Sequence, residues 1–154
     1  MINRYFYKKI IQSMPIPCVD IIVGDKLDNV LLLKRTNEPV KGYWWFPGGR
    51  VLFNEKREDA VARIAKQECN INALPQVEMG TYDLILPSSQ KPSVSHAITT
   101  LYYLQVDNLN SIEIMVDMQS EGFKIKHREE WLKLALHEFV RNGLNELKKI
   151  KQSH

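Results

Sequence analysis

Gly48-Gly49, Arg50, Glu55, Arg63 and Glu68 are the residues of this chain whose types and spacing could do chemistry. Reading forward from Gly49, five residues precede Glu55, seven more precede Arg63, and four more precede Glu68. Glycines let a backbone approach a ligand closely, and the Gly49 carbonyl can face a hard cation. The planar donor fork of Arg50 suits a diphosphate. On a helix, Glu68 falls at i+7, i+4 and i+3 from Val61, Ile64 and Ala65, on their apolar stripe. A carboxylate on a packed face is costly unless a cation or hydrogen bonds compensate it. A metal ion would do so. A frayed helix end reaching solvent is the other explanation, and the Gly-Gly loop upstream favours the metal.

The elements that must position these groups follow from patterning. No Gly or Pro interrupts 55–69, Glu58-Asp59 complement a helix N-terminus, and Asn54 is a good N-cap. Residues 3–13 read as a short amphipathic helix with Tyr5, Phe6, Ile10 and Ile11 available for packing, ended by Pro15 and Pro17. Cys18 to Val23 is β-rich, and Val30 to Leu33 is an apolar run too short for a buried helix, so both faces should be covered. Asp20 lies inside the first of these strands and Lys34-Arg35 closes the second; the acid is either paired with Arg35 or functional. Gln76–Leu86 and Ala97–Val106 read as strands joined by a proline-bearing polar loop, with His96 at its border, and Phe123–Ile125 as a last strand. Residues 127–150 read as one or two helices, with Trp131, Leu134, Leu136, Phe139, Val140, Leu144 and Leu147 inward and a break expected at Asn142-Gly143.

Composition excludes several classes. At 154 residues the chain is expected to be a single domain, 1–154, with 1–14 as a helical extension and 127–150 as the C-terminal helical segment. Its net charge of +3 is not gathered into a basic run, which speaks against a nucleic-acid surface and suits a small anionic ligand. Cys18 and Cys69 form neither a metal motif nor a disulfide framework. With no long apolar run and no signal-like core, a cytoplasmic protein without membrane contact is expected.

The spacing from Gly49 to Glu68 resembles the Nudix box, a loop-helix-loop that binds a divalent metal and a nucleotide-linked diphosphate. Where the box usually carries three helical acids, this chain has Ile64, Gln67 and Glu68. That reduction is similar to the GDP-mannose mannosyl hydrolase branch, as are Asp20-Ile21-Ile22-Val23, Lys34-Arg35-Thr36-Asn37, Gly42-Tyr43-Trp44, Pro47-Gly48-Gly49-Arg50-Val51 and Thr99-Thr100-Leu101-Tyr102. The resemblance implies an α/β/α sandwich with a mixed sheet and a homodimer acting on a nucleotide sugar. It assigns Mg²⁺ or Mn²⁺ to Glu68, the Gly49 carbonyl and Gln119, and the diphosphate to Arg35, Arg50 and Tyr102. Asp20 would stabilise the departing nucleotide through the arginines, while Glu55 and Arg63 would brace loop against helix.

One position departs from the branch, which places a histidine directly after the metal-binding glutamine. Here Ser120 follows Gln119, and the adjacent Glu121 is a candidate substitute base. Three functions stay open: hydrolysis of a nucleotide sugar at the anomeric carbon, cleavage of a P–O–P bond in another nucleoside diphosphate derivative, and binding of a sugar nucleotide with little catalysis.

Overall fold

Strand β1, Ile16–Asp25, carries an almost unbroken apolar run, and its residues 19–25 are buried on both faces. Such a strand has to lie in the middle of a covered sheet. It does so in a computed structural model of the chain, which describes residues 2–89, 92–116 and 120–153, with the side chains of Ser120 and Glu121 excepted. Along its whole length β1 pairs in parallel with β6 (Val94–Val106), from Ile16 opposite Ala97 to Asp25 opposite Val106. β5 (Val77–Pro87) pairs antiparallel with the outer side of β6.

The other side of β1 is split. Near its C-terminal end β1 pairs with β2 (Asn29–Arg35), Val23 facing Leu31. The two strands then diverge, and the segment between Trp44 and Arg50 fills the wedge. Its first part, β3 (Trp44–Trp45), joins β2; its second, β4 (Gly48–Arg50), joins β1 at Cys18–Asp20. β7 (Ser120–His127) lines the far side of β2. The sheet is therefore mixed, with Val30–Leu33 buried on both faces as their apolar run requires.

Helices cover both faces. α2 (Arg57–Cys69) buries Ala60, Val61, Ile64, Ala65 and Cys69 against Val19, Ile21, Val23, Leu31 and Leu33. α3 (Arg128–Leu132) and α4 (Glu138–Gln152) cover the opposite face, where Trp131, Phe139, Val140, Leu144 and Leu147 meet Ile22, Leu32, Phe46 and Leu101. Each fully buried aliphatic or aromatic side chain contributes about 1.5–3 kcal/mol, so packing rather than helix propensity fixes α2 beside the wedge.

Several expectations are corrected. α2 starts at Arg57 with Lys56 as N-cap and no capping side chain; Asn54 instead takes a left-handed turn position at φ 63°. The break in the C-terminal segment falls between α3 and α4, and Leu134 is exposed there. Gly143 lies inside α4 because a Cβ would stand 3.0 Å from the Phe46 ring. Near the end of α4, Lys151 donates to the Asp25 carbonyl at 2.9 Å and to Asp28 at 3.2 Å. β6 and β7 both run longer than their apolar stretches suggested. α1 (Arg4–Ser13) forms as expected, capped by the Asn3 side chain, but no residue of it is buried and Tyr5 and Phe6 face solvent.

Candidate functional site

The wedge between β1 and β2 opens into a cleft of about 700 Å³, lined from β1 by Cys18 and Asp20, from β2 by Arg35, from β4 by Gly48, Gly49 and Arg50, and from α2 by Gln67 and Glu68. The register of β4 decides which backbone groups look into it. The Ile21 N–H donates to the Pro47 carbonyl at 2.8 Å and the Val51 N–H to the Pro17 carbonyl at 2.9 Å. Val19 faces Gly49 between them. Antiparallel alternation then turns the N–H and C=O of Gly49 toward β1 and those of Gly48 away from it. Gly48 accordingly donates its N–H to Glu68 Oε2 at 3.1 Å. The carbonyl beside the Glu68 carboxylate thus belongs to Gly48, not to Gly49 as expected. Strand parity, which spacing does not reveal, makes the difference. Gly48 is also where a side chain is least tolerable, because a Cβ would collide with the Asp20 carboxylate and stand 2.8 Å from the Val19 carbonyl.

Arg63 fastens the loop to the helix. Its Nε donates to Glu55 Oε2 at 2.8 Å, and its Nη2 to Glu55 Oε1 and the Arg50 carbonyl, both at 3.0 Å. Glu55 also accepts from the Leu52 N–H at 3.0 Å. This matches the bracing role expected for the pair, and the hydrogen bond from Arg63 holds the Glu55 carboxyl below the usual glutamate range. Such a group stabilises the fold above the ordinary glutamate pKa, and its contribution is lost as pH falls through the depressed value. Glu55→Gln is therefore expected to lower stability by about 1–2 kcal/mol at pH 7. In urea titrations the gap between parent and variant should be smaller in acid, below the ordinary glutamate range, than at pH 7. An equal gap at both pH values would remove the charge-based account.

Asp20 sits at the floor of the cleft, 6% exposed. Thr99 Oγ1 donates to its Oδ2 at 2.6 Å and the Trp45 indole N–H donates to the same carboxyl. Burial pushes its pKa up to about 6, against those hydrogen bonds and the attraction of Arg35. The Asp20–Arg35 alternative is resolved in part: the arginine acts through charge, while its Nε donates to the Pro39 carbonyl at 3.0 Å. Burial likewise pushes the Cys18 thiol up to about 12, with Asp20 adding to the shift, so this cleft cysteine is an inert thiol.

The structure brings Asp20, Arg35, Arg50, Gly48 and Glu68 together and leaves Tyr102 out. Along β6, Thr99 and Leu101 share the face of Asp20, and Tyr102 alternates into the core beneath α2 at 2% exposure. Burial and the charges of Glu78 and Glu58 raise its pKa, and its hydroxyl has no hydrogen-bond partner among the described residues. It does not line the cleft. His96 is half-buried on the wall shared with Ile11 of α1, on the opposite parity from Asp20. Gln119 and the side chain of Glu121 lie outside the described residues.

The donor set fits a hard cation. Glu68 and the Gly48 carbonyl offer oxygen, and no group of three or more His, Cys, Asp or Glu side chains surrounds them among the described residues. Mg²⁺ keeps several waters and binds through one or two carboxylates together with substrate phosphates.

A model of the NUDIX domain matches residues 14–148. The chain belongs to the Nudix family. It is similar to the low-salt glycan biosynthesis protein Agl8 of Haloferax volcanii, at 28% identity over 121 residues, covering 77% of this chain and 75% of that one. It is also similar to an ADP-ribose pyrophosphatase of Methanocaldococcus jannaschii, at 35% identity over 94 residues, covering 60% of this chain and 52% of that one. Among solved structures, a MutT protein from Methanosarcina mazei matches with a TM-score of 0.73 at 19% identity, covering 90% of this chain and 97% of that one. That likeness establishes the Nudix fold. The loop from Gly48 to Lys56 and α2 both lie inside the matched span. No described helix is long and apolar enough to cross a membrane.

Proposed function

We propose that this Nudix hydrolase acts on a nucleoside diphosphate linked to a sugar, releasing the intact nucleoside diphosphate and the free sugar, with GDP-mannose as the leading candidate. The observation that carries this reading is the acid content of the cleft. Ile64 and Gln67 stand where further box acids would be, so Glu68 is the one carboxylate α2 turns toward the loop. A metal held by Glu68 and the Gly48 carbonyl would supply charge neutralisation at the diphosphate. A site of this kind suits departure of a diphosphate better than activation of water at phosphorus by a metal cluster.

In this reading a water oxygen attacks the anomeric carbon, the bond from that carbon to the diphosphate oxygen breaks, and the electron pair leaves with the diphosphate. Arg35 and Arg50 line the same cleft and receive the developing negative charge, which is where fixed donors accelerate a reaction most. Asp20 biases Arg35 through charge. The proton lost by water goes to a base, for which Glu121 is our candidate because Ser120 has no proton-accepting side chain at neutral pH. The glycan-biosynthesis name of the Haloferax relative supports a sugar substrate.

The name of the Methanocaldococcus relative favours a second reading, cleavage of the P–O–P bond of the same class of substrate. Hydrolysis in ¹⁸O-labelled water separates the two. Label is expected on the free sugar, with unlabelled nucleoside diphosphate. Label in a nucleoside monophosphate or sugar phosphate would sink attack at carbon and install the second reading.

A further inference from the structure

Arg50 is held differently from every other cation of the cleft. Arg63 is consumed by Glu55, and Arg35 is tied through Nε to a carbonyl. The Arg50 backbone is fixed by its place opposite Cys18 and by Arg63 at its carbonyl. Neither contact orients the guanidinium at the end of a long side chain, and among the described residues no carboxylate does so. What meets it is the ring of Tyr7, whose centroid lies 5.3 Å from Arg50 Cζ.

Tyr7 comes from α1, where no residue is buried and only Tyr7, Ile10 and Ile11 are half-covered. Of these, Tyr7 and Ile11 line the cleft. The geometry has a chemical advantage. A carboxylate would occupy the N–H edge of the guanidinium and cancel its charge. A ring attracts the cation without neutralising it, so the charge stays available to an anion. The edge is the part that forms paired hydrogen bonds with phosphate oxygens.

We propose that Tyr7 is a positioning residue for Arg50, holding the guanidinium in the orientation that grips the diphosphate. This rests on the diphosphate reading of the cleft given above. It makes the N-terminal helix part of the binding site through one ring. The ring carries the role and the phenol hydroxyl does not.

Calorimetric titration with inorganic pyrophosphate and with GDP, each in Mg²⁺, tests this on the parent, Tyr7→Ala, Tyr7→Phe, Arg50→Ala and the Tyr7→Ala/Arg50→Ala double variant. Tyr7→Ala is expected to weaken both ligands by the same factor, about 3- to 30-fold, and Tyr7→Phe to bind like the parent. In the Arg50→Ala background, Tyr7→Ala should cost nothing further. Melting temperatures should stay close to the parent's, because no residue of α1 is fully buried. Loss on GDP with pyrophosphate spared would mean that Tyr7 touches the nucleoside, and would overturn the proposal. So would full additivity in the double variant, or equal loss in Tyr7→Phe. Parent-like pyrophosphate binding by Arg50→Ala would instead bring down the diphosphate reading itself, and the proposal with it.

Discussion

Glu68→Gln is expected to lose at least about 100-fold in Mg²⁺-dependent turnover of a nucleotide sugar, with a matching loss of Mn²⁺ binding. Glu68 is the one carboxylate α2 presents to the loop, so neutralising it leaves the Gly48 carbonyl as the remaining oxygen donor described there. A metal offsetting the charge of a leaving diphosphate supplies several kcal/mol, and 100-fold corresponds to about 2.7 kcal/mol. Glutamine is nearly isosteric and can still accept the Gly48 N–H, so the fold should survive. Thermal unfolding without metal should therefore be close to that of the parent, while the stabilisation conferred by added Mn²⁺ should largely vanish. Full Mn²⁺ affinity in the variant would overturn the metal assignment. Lost turnover with intact Mn²⁺ affinity would move Glu68 from metal ligand to another role.

Asp20→Asn should separate activity from stability. Burial raises the Asp20 pKa to about 6 from an ordinary value of 3.8. A carboxyl raised on folding favours the fold at pH values below its unfolded pKa, and that contribution disappears as pH rises through about 6. At pH 8 the buried charge costs on the order of 3 kcal/mol relative to a neutral group, part of which the variant recovers. Asn keeps an oxygen for the Thr99 and Trp45 donors but carries no charge to act on Arg35. The expected result is a melting temperature at pH 8 equal to or above the parent's, and a turnover rate lower by roughly 10²-fold or more. The parent's kcat/KM should fall as pH drops through about 6, and this limb should be missing from whatever activity the variant retains. A variant with parent turnover and the same limb would show that Asp20 serves packing alone.

What the sequence made legible was local. The spacing from Gly49 to Glu68 sufficed for the loop and α2, since helical periodicity puts Glu68 beside the loop whatever the rest of the chain does. The apolar runs of β1 and β2 announced central strands for the same reason. What was not legible depends on register between distant segments. Gly48 and Gly49 are equivalent in sequence, and only the pairing of Val19 with Gly49 decides which carbonyl faces Glu68. Tyr102 was expected at the diphosphate, and only the parallel pairing that puts Leu101 on the Asp20 face turns Tyr102 to the other side. Thr99 and Trp45 gave no signal of their own as partners of Asp20, because their donors arrive from different strands. The N-cap at Asn54 failed through local competition: Glu55 closes the turn onto the Leu52 N–H and Arg63, and the helix begins two residues later.

The split neighbourhood of β1 has an architectural consequence. On its β6 side the strand is zipped without interruption from Ile16 to Asp25, so the floor beneath a bound ligand is one unbroken span of backbone. On its other side the neighbours change, and the cleft walls come from separate segments: the diverging end of β2, β4 and the loop carrying Glu38 and Pro39. Insertions or exchanges in any one wall leave the remaining walls and the floor registered. A family built on this plan can diversify what it accepts by remodelling one wall at a time, while the frame that keeps it folded goes untouched.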